Sequence, residues 1–294
     1  MKEQLLFKAK WWEALAEQAV RCQLCPRQCR IAAGETGFCR VRANVDGALF
    51  ALSYGFPAAL QVDPIEKKPL NEFLSGTATF SLGTFGCNLD CAFCQNHHLS
   101  RGEYVERKSA GYVAPETIVK MAEQRHCQSV AFTYNEPTVF AEYAVVIATA
   151  AKKKGLATVL VSNGYITLEA ARELYPLIDA ANIDMKGFAE EFYRQMCGGR
   201  LQPVLDAIKY YFSLGRHLEL TNLVIPGRND AEEMLDAYLD WVEKELDRKV
   251  PLHFSAYHPD HRFREAPRTP RDTLSALRER AGKRGFKHVY LGNI

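Results

Sequence analysis

The chain has 294 residues, of which 47% are hydrophobic, so it can bury a large core and general disorder is excluded. Its 37 basic and 35 acidic residues leave a formal charge of +2, which gives no broad field for attracting nucleic acid or an anionic membrane. A local basic patch remains compatible with this balance.

The first residues of the chain are predicted to form a surface helix. Residues 1–18 mix charged and apolar side chains and lack the uninterrupted apolar stretch of a signal peptide. Nowhere does the sequence contain a run of about 18 apolar residues, so no membrane span is expected and we predict a cytoplasmic protein. The nine cysteines would then be reduced, and their close spacing favours metal or redox chemistry over disulfides.

Four cysteines fall within eighteen residues near the N-terminus, at Cys22, Cys25, Cys29 and Cys39. Four thiolates can close a tetrahedral zinc site or hold a complete iron–sulfur cubane, and the sequence leaves that choice open. Bound metal would add folding free energy to a small segment that builds no core of its own, which favours a structural role. Four unrelated reduced cysteines are the alternative. We predict a Cys-rich segment over residues 1–76, with short strands and turns in its later part.

From residue 77 onward, short β-type runs alternate with helical segments, a pattern typical of a parallel sheet built from βαβ units. The predicted strands are Ala78–Leu82, Ser129–Thr133, Thr158–Val161, Ala181–Asp184, Leu218–Val224, Leu252–Ala256 and His288–Leu291. The predicted helices are Pro115–Gln124, Thr138–Lys154, Thr167–Tyr175, Gln202–Ser213, Ala231–Leu246 and Pro270–Arg284. Residues 77–294 are therefore predicted to form an α/β domain, a partial (β/α)6 barrel with a last strand. Its chemistry should gather at the C-terminal ends of the strands.

The loop after the first of these strands holds three cysteines within eight residues, Cys87, Cys91 and Cys94. Thiolates are the usual ligands of iron–sulfur clusters, and most clusters have four. Three ligands would leave one iron of a cubane open, and an open iron can bind a small molecule directly. A zinc knuckle, or cysteines that follow a strand by chance, is the alternative.

The C-x3-C-x2-C spacing, with aromatic Phe93 before the last cysteine, resembles the signature of the radical S-adenosylmethionine (SAM) superfamily. The resemblance implies a 4Fe–4S cluster on the three cysteines, with the amine and carboxylate of SAM on the open iron. It places Phe93 and Asn96 among the residues around the cofactors. It also implies that one electron, supplied by a flavodoxin or ferredoxin, cleaves SAM to a 5′-deoxyadenosyl radical that takes a hydrogen atom from a substrate. In such enzymes the protein positions the cofactors, which carry the chemistry.

A second motif follows the second predicted strand. Tyr134, Asn135 and Glu136, before Pro137, resemble the Gly-Gly-Glu-Pro motif of the superfamily, with both glycines replaced. The resemblance implies contacts with the SAM amine. The alternative is that Glu136 caps the following helix, because an acidic side chain suits a helix N-terminus.

Two further motifs follow the third and fourth strands. Ser162 and Asn163, before Gly164, resemble the Thr-Asn-Gly segment of glycyl radical enzyme activases, which implies SAM binding. An ordinary turn is the alternative, because Asn-Gly favours positive φ. Asp184 and Lys186 resemble the Asp-Leu-Lys of the same activases, which implies contact with the methionine carboxylate or a monovalent cation. An ion pair on the barrel rim is the alternative.

The sequence leaves the catalytic residue unknown and offers two candidates. His258 follows the sixth strand, at a SAM-proximal position of the activases, where it would move protons or bind the ribose. Cys197 lies on a glycine-rich loop after the fourth strand, where it would donate a hydrogen atom or contact the substrate. Cys127 is predicted to be a buried core residue.

The N-terminal cysteine string, the Thr133–Pro137 string and the terminal Tyr-Leu-Gly-Asn together resemble a radical SAM subfamily called AmmeMemoRadiSam. That resemblance implies AMMECR1-like or Memo-like partner proteins and leaves the substrate undefined. Many members of the subfamily continue past the Gly-Asn with a further Cys-x2-Cys, whereas this sequence reaches Ile294 without one.

Three functions therefore compete. The first is an AmmeMemoRadiSam-type enzyme that cleaves SAM, and the second is a glycyl radical activase acting on a large protein substrate. The third is a non-catalytic iron–sulfur protein for electron transfer or scaffolding. The position of the N-terminal cysteines favours the first, as does the Thr221-Asn222 pair, where activases tend to carry an arginine. The SAM motifs disfavour the third.

Overall fold

The computed structural model describes residues 6–102 and 111–294. Its strands are β1 (Phe7–Lys8), β2 (Trp12–Ala14), β3 (Val20–Cys22), β4 (Arg30–Ile31), β5 (Arg42–Val45), β6 (Ala48–Ala51), β7 (Ala59–Pro64), β8 (Ala78–Gly83), β9 (Ser129–Phe132), β10 (Ala157–Ser162), β11 (Ala180–Asp184), β12 (His217–Val224), β13 (Leu252–Ala256) and β14 (Val289–Gly292). Its α-helices are α1 (His97–Arg101), α2 (Pro115–Gln124), α3 (Ala141–Lys153), α4 (Leu168–Leu174), α5 (Glu190–Phe192), α6 (Gln202–Ser213), α7 (Glu232–Glu245) and α8 (Arg271–Lys283).

The largest sheet has eight strands in the order β14-β13-β12-β11-β10-β9-β8-β7, so each strand lies beside its neighbour in the chain. Strands β8 to β14 are mutually parallel, and β7 runs antiparallel to β8 at one edge. Parallel neighbours need crossover connections, which α2 to α8 supply. The carboxyl ends of the parallel strands therefore meet at one edge of the sheet.

The strand predictions from residue 77 onward are confirmed, and each observed strand begins and ends within one residue of its predicted bounds. The predicted helices are present as well. The helix expected over Thr138–Lys154 is divided into a 3-10 turn, Pro137–Phe140, followed by α3. This mixed, mostly parallel sheet with its helices confirms an α/β fold.

The helices cover the main sheet through apolar faces. Helix α3 buries Ile147 and the small side chains of Ala144, Ala148 and Ala151, which let it pack closely on β9 and β10. Helix α2 buries Ile118 in the same core. Among residues 6–102 and 111–294, none of the helices combines the length and the apolar character that crossing a membrane requires.

The N-terminal region forms two small antiparallel sheets, β1-β6-β5 and β2-β3-β4. The surface helix predicted over residues 1–18 is wrong for the residues that the structure describes, which begin at residue 6. Trp12 pairs with Cys22 across β2 and β3, and Trp11 is buried in the core. Pairing and burial of these aromatic residues override the helix-like charge pattern. The division at residue 76 stays a prediction, and β7, which precedes it, belongs to the largest sheet.

The segment after β7 packs against the strands of the main sheet. Ile65 and Leu70 are fully buried in a cluster with apolar residues of β9, β10 and β11. The Asn182 side-chain amide donates to the Pro69 carbonyl at 2.7 Å. The buried carboxylate of Glu219 accepts two backbone N–H groups of this segment at 2.9 and 3.1 Å. These bonds hold the segment at the sheet, and its next residues reach the cavity described below.

Candidate functional site

A cavity of about 420 Å³ lies at the carboxyl ends of the parallel strands. The three cysteines of the loop after β8, Cys87, Cys91 and Cys94, all line it. The other predicted cofactor contacts that line it are Phe93, Asn96, Tyr134, Asn135, Glu136, Ser162, Asn163, Asp184 and Lys186. Residues from four separate stretches of the sequence are thus brought to one place.

The backbone of the cysteine loop is held from two sides. Gly86 has φ +85°, and a Cβ at this position would lie 2.5 Å from the carbonyl oxygen of Cys39, so glycine is required here. The Gly86 N–H donates to the Leu99 carbonyl at 3.0 Å. On the other side, the Asp90 N–H donates to the Cys197 carbonyl at 2.9 Å.

Hydrogen-bonding groups surround the three thiols. The Leu89 N–H lies 3.4 Å and the Asn163 amide nitrogen 3.7 Å from the sulfur of Cys87. The Cys94 thiol donates to the Ser100 hydroxyl at 3.8 Å. Burial raises the pKa of the Cys87 and Cys94 thiols above the usual range, so a bound metal would have to displace their protons. Three thiols on one cavity, with two N–H donors beside Cys87, suit an iron–sulfur cluster.

Glu136 is buried, and both of its carboxylate oxygens accept hydrogen bonds from neighbouring residues. One carboxylate oxygen accepts from the Thr138 N–H at 2.9 Å and from the Ser162 hydroxyl at 2.7 Å. The other accepts from the Asn163 N–H at 2.8 Å. Burial raises the pKa of Glu136. The capping role is confirmed, because Glu136 is the N-cap of the turn that precedes α3, and it also joins the second and third motifs.

Two asparagines tie these motifs to the cysteine loop. The Asn135 side chain donates to the Gly86 carbonyl at 2.9 Å, and its oxygen accepts from the Thr84 N–H at 2.9 Å. The Asn163 amide donates to the side-chain oxygen of Asn88 at 3.0 Å. Asn135, which replaces one of the motif glycines, therefore adds side-chain bonds to the loop.

Asp184 and Lys186 form an ion pair with a 2.6 Å separation on the cavity wall, as the rim ion-pair alternative predicts. Both side chains are partly exposed to the cavity. Their pairing leaves the cavity wall near zero net charge at this point.

The sequence profile of the radical SAM superfamily matches residues 81–239, which is more than half of the chain. This protein belongs to the radical SAM superfamily. Membership implies a 4Fe–4S cluster and SAM as cofactors, and the three cysteines that line the cavity fall inside the matched region.

Several relatives of this radical SAM protein are known. Uncharacterized protein MJ0808 of Methanocaldococcus jannaschii is 41% identical over 290 residues, which cover 98% of this chain and 85% of that protein. A pyruvate formate-lyase-activating enzyme of Streptococcus mutans is 21% identical over 187 residues, 61% of this chain and 71% of that protein. The crystal structure of QueE from Escherichia coli has a TM-score of 0.52 at 13% identity, over 80% of this chain and 93% of that chain. The structural likeness shows the fold alone, and the relation to the activating enzyme is distant.

The two catalytic candidates lie beside the radical SAM cavity; neither is among the described residues that line it. His258 is exposed, and its Nδ1 lies 3.0 Å from the amide nitrogen of Gln95, a lining residue. Cys197 is fully buried behind the cysteine loop, and its contact with Cys91, together with burial, raises the pKa of the Cys91 thiol. Their catalytic roles stay predictions. Cys127 is buried, as predicted.

Strand β7, at the edge of the main sheet, and the turn after it bring residues that sequence reasoning missed. Gln61 and Asp63 of β7, and Lys67 and Lys68 after it, line the same cavity. The end of the barrel sequence adds Asn293. The alternation of apolar and polar residues in β7 was an available signal for a strand, but its position beside the cysteine loop depends on pairing with β8.

The N-terminal cysteines Cys22, Cys25, Cys29 and Cys39 line one small pocket together with Arg42. The Arg42 guanidinium is buried and makes two bonds to the Glu142 carboxylate, at 2.8 and 3.0 Å. Its Nε has no hydrogen-bond partner among the described residues. The pocket therefore combines four thiols with one buried N–H donor.

Neither cysteine group is a closed single-ion site as placed. Within residues 6–102 and 111–294, no three His, Cys, Asp or Glu side chains stand in an arrangement that would hold a metal ion. Cysteine ligands of a cubane bind different irons, whereas a zinc ion draws four ligands to one point. The second metal site, whether zinc or iron–sulfur, stays a prediction.

Proposed function

We propose that this protein is an enzyme with a partial (β/α)6 barrel that reductively cleaves SAM and abstracts hydrogen from an unidentified substrate. When bound to Cys87, Cys91 and Cys94, a 4Fe–4S cluster supplies the electron that converts SAM to methionine and a 5′-deoxyadenosyl radical. The single observation that carries the proposal is the placement of these three thiols on one cavity with the polar residues of the SAM motifs. The finer roles below are proposed from the same placement.

Glu136 would bind the SAM amine. Glu136 lines the cavity, and among the residues that the structure describes the Asn163 N–H is the one donor to its second oxygen, which leaves a lone pair for an ammonium. An ammonium beside Glu136 would stabilise its charged form against the raised pKa that burial causes. The Ser162 and Thr138 donors fix the direction of the carboxylate.

Asp184 and Lys186 would contact the methionine carboxylate. Lys186 offers an ammonium to an anion, and Asp184 holds that ammonium in place at 2.6 Å. Phe93 and Asn96 contribute the part of the lining next to Cys94. His258, through Gln95, lies where it would bind the ribose or move a proton at the cavity mouth.

The N-terminal cysteines would hold zinc or a second iron–sulfur cluster. The buried pocket that they share with Arg42 supports this role. Their spacing and the terminal Tyr-Leu-Gly-Asn support a place in the AmmeMemoRadiSam group, with an AMMECR1-like or Memo-like partner and a flavodoxin or ferredoxin as electron donor. These partners are proposed from the sequence resemblance alone.

A glycyl radical activase is the second candidate function. The relative from Streptococcus mutans is named as a pyruvate formate-lyase-activating enzyme, which favours this candidate. At position 222, however, the Asn222 side chain donates to the Met185 carbonyl at 2.7 Å, so it supports the Asp184–Lys186 loop from within. Asn222 therefore brings no positive charge to the cavity, in contrast to the arginine that activases tend to carry here.

Anaerobic reconstitution with iron and sulfide, followed by dithionite and SAM, tests the proposal. We expect 5′-deoxyadenosine, detected by chromatography, to accumulate when the reductant is present and to be absent without it. If the protein holds an intact cluster and forms no 5′-deoxyadenosine, the proposed SAM cleavage is overturned and an electron-transfer or scaffold function is favoured. A glycyl radical signal in electron paramagnetic resonance (EPR), after mixing with a glycyl radical enzyme, would favour the activase.

A further inference from the structure

A charged group lies on the cavity wall outside the SAM motifs. Asp63 is in β7, and Lys67 and Lys68 follow at the 3-10 turn after that strand. All three line the cavity that holds the cysteine thiols. We call these three residues the lysine wall.

The lysine wall is built around one carboxylate. The Lys68 ammonium lies 2.7 Å from one Asp63 oxygen, and the Tyr134 hydroxyl donates to the same oxygen at 2.6 Å. The Lys67 ammonium lies 3.3 Å from the other oxygen. The Lys68 and Asp63 side chains are only 3% and 4% exposed, so this pair is buried, whereas Lys67 is 68% exposed.

Tyr134 fixes the Lys68 ammonium in a second way. The ammonium lies 4.6 Å from the centre of the tyrosine ring, within the range of a cation–π contact. Tyr134 itself has φ +71°, an uncommon conformation for a tyrosine, which its bond to Asp63 helps to hold. The position of Lys68 is therefore determined by two neighbours rather than by its flexible stem.

Donors outnumber acceptors at this wall. Two ammonium groups and one phenol share a single carboxylate, so the wall carries one net positive charge. Within residues 6–102 and 111–294, Asp63 is the one hydrogen-bond acceptor of the Lys68 ammonium, which has three N–H groups. Because the Lys68 side chain lines the cavity, its remaining N–H groups can donate to a ligand there.

The rest of the charged lining, among the described residues, offers no unpaired positive charge. Asp184 and Lys186 neutralise each other, and Glu136 is a carboxylate that accepts from uncharged donors. Burial lowers the pKa of Lys68, and Asp63 opposes that effect by favouring the charged ammonium. An anion that entered the cavity would meet its uncompensated positive charge at the lysine wall.

We propose that Lys68, oriented by Asp63 and Tyr134, anchors an anion subsite that takes a carboxylate or phosphate oxygen. The inference rests on the proposed function, because it concerns the same cavity. The anion has two possible sources, the methionine carboxylate of SAM and an anionic group on the substrate. Asp63 and Tyr134 are positioning residues, and Lys68 is the one that contacts the ligand.

The test uses the anaerobically reconstituted protein with its cluster. Two affinities are measured by equilibrium dialysis: that for SAM, and that for inorganic phosphate in the presence of saturating SAM. Lys68→Met alone would leave Asp63 buried without its partner, so the Asp63→Asn/Lys68→Met double variant removes both charges and keeps an acceptor for Tyr134. Lys68→Arg retains the charge. Lys209→Met, on an exposed ion pair of α6, is the matched control.

We expect the double variant to lose at least about tenfold in one of the two affinities, the loss that one charge-assisted hydrogen bond of about 1.5 kcal/mol predicts. Lys68→Arg and Lys209→Met should stay close to the parent. Loss of SAM affinity assigns the subsite to the methionine carboxylate, and loss of phosphate affinity alone assigns it to the substrate.

Unchanged affinities for both ligands in the double variant would overturn the subsite, as would an equal loss in Lys68→Arg. If the parent binds SAM and the double variant has the same SAM and phosphate affinities, the subsite is overturned and the proposed function stands. A parent protein that binds neither SAM nor phosphate would overturn the subsite and the proposed function together.

Discussion

The two cysteine groups of this protein differ in what surrounds them. Cys87, Cys91 and Cys94 line an open cavity of about 420 Å³ together with the SAM motifs. The four N-terminal cysteines line a pocket of about 10 Å³ together with apolar residues and Arg42. Catalytic metal sites keep a position free for a ligand, whereas structural sites are closed by the protein. The contrast is consistent with the proposed chemistry at the first group and with the predicted structural role of the second.

The two groups are also in contact. Gly86, next to Cys87, packs against the carbonyl of Cys39 so closely that a Cβ has no room. Asn88 lines the N-terminal pocket and accepts from Asn163, which lies beside Cys87. The N-terminal group therefore contacts the cysteine loop through the backbone of Gly86 and through the Asn88–Asn163 pair.

Replacing all four N-terminal cysteines with serine has the largest expected effect on this comparison. We expect the loss of one whole metal site, because serine does not replace thiolate ligands of zinc or iron. The loss is measured by iron and zinc analysis of the purified and the reconstituted protein. Equal metal content in variant and parent would show that the closed pocket holds no metal.

The Arg42→Leu variant should have the second-largest effect. It leaves the buried Glu142 carboxylate without its partner, which is expected to cost about 3–5 kcal/mol in the free energy of unfolding. Urea unfolding measures the change, and the Arg42→Leu/Glu142→Leu double variant should recover most of it because no buried charge is left. A single variant as stable as the parent would mean that the ion pair does not hold the N-terminal sheets to α3.

Gly86→Ala has the smallest expected effect on stability, about 1–3 kcal/mol for a strained backbone position. The added Cβ would also press on Cys39, so the iron content of the cysteine loop should fall. Gly76→Ala is the matched control, because Gly76 has φ +77° and no atom within 4 Å of the added Cβ. If the two variants lose equal amounts of iron, the contact between the two cysteine groups has no role in cluster binding.

The sequence predicted the main sheet well and the N-terminal region poorly. The strands from Ala78 onward are mostly buried apolar runs, and helices lie between them. Such an alternation can be recognised from the local order of residues in the sequence. Strands β1 and β2 have only two and three residues, too few for a period to show, and the aromatic Trp11 and Trp12 were assigned to a helix.

The candidate site divides in the same way. Residues at or just after the ends of predicted strands, such as Glu136 and Asp184, line the cavity, and their roles stay predictions. Asp63 and Lys68 were not predicted to line it, because Asp63 meets Tyr134 only through the pairing of β7 with β8, over a separation of 71 residues. Such a contact leaves no local pattern in the sequence.

The measurement that tests the account most directly is 5′-deoxyadenosine formation by the single variants Cys87→Ala, Cys91→Ala and Cys94→Ala after reconstitution and reduction. Cys127→Ala, at a buried cysteine away from the cavity, is the matched control. The account predicts no product above background from the three loop variants and product from the control. Product from any loop variant would contradict the assignment of SAM cleavage to these three cysteines.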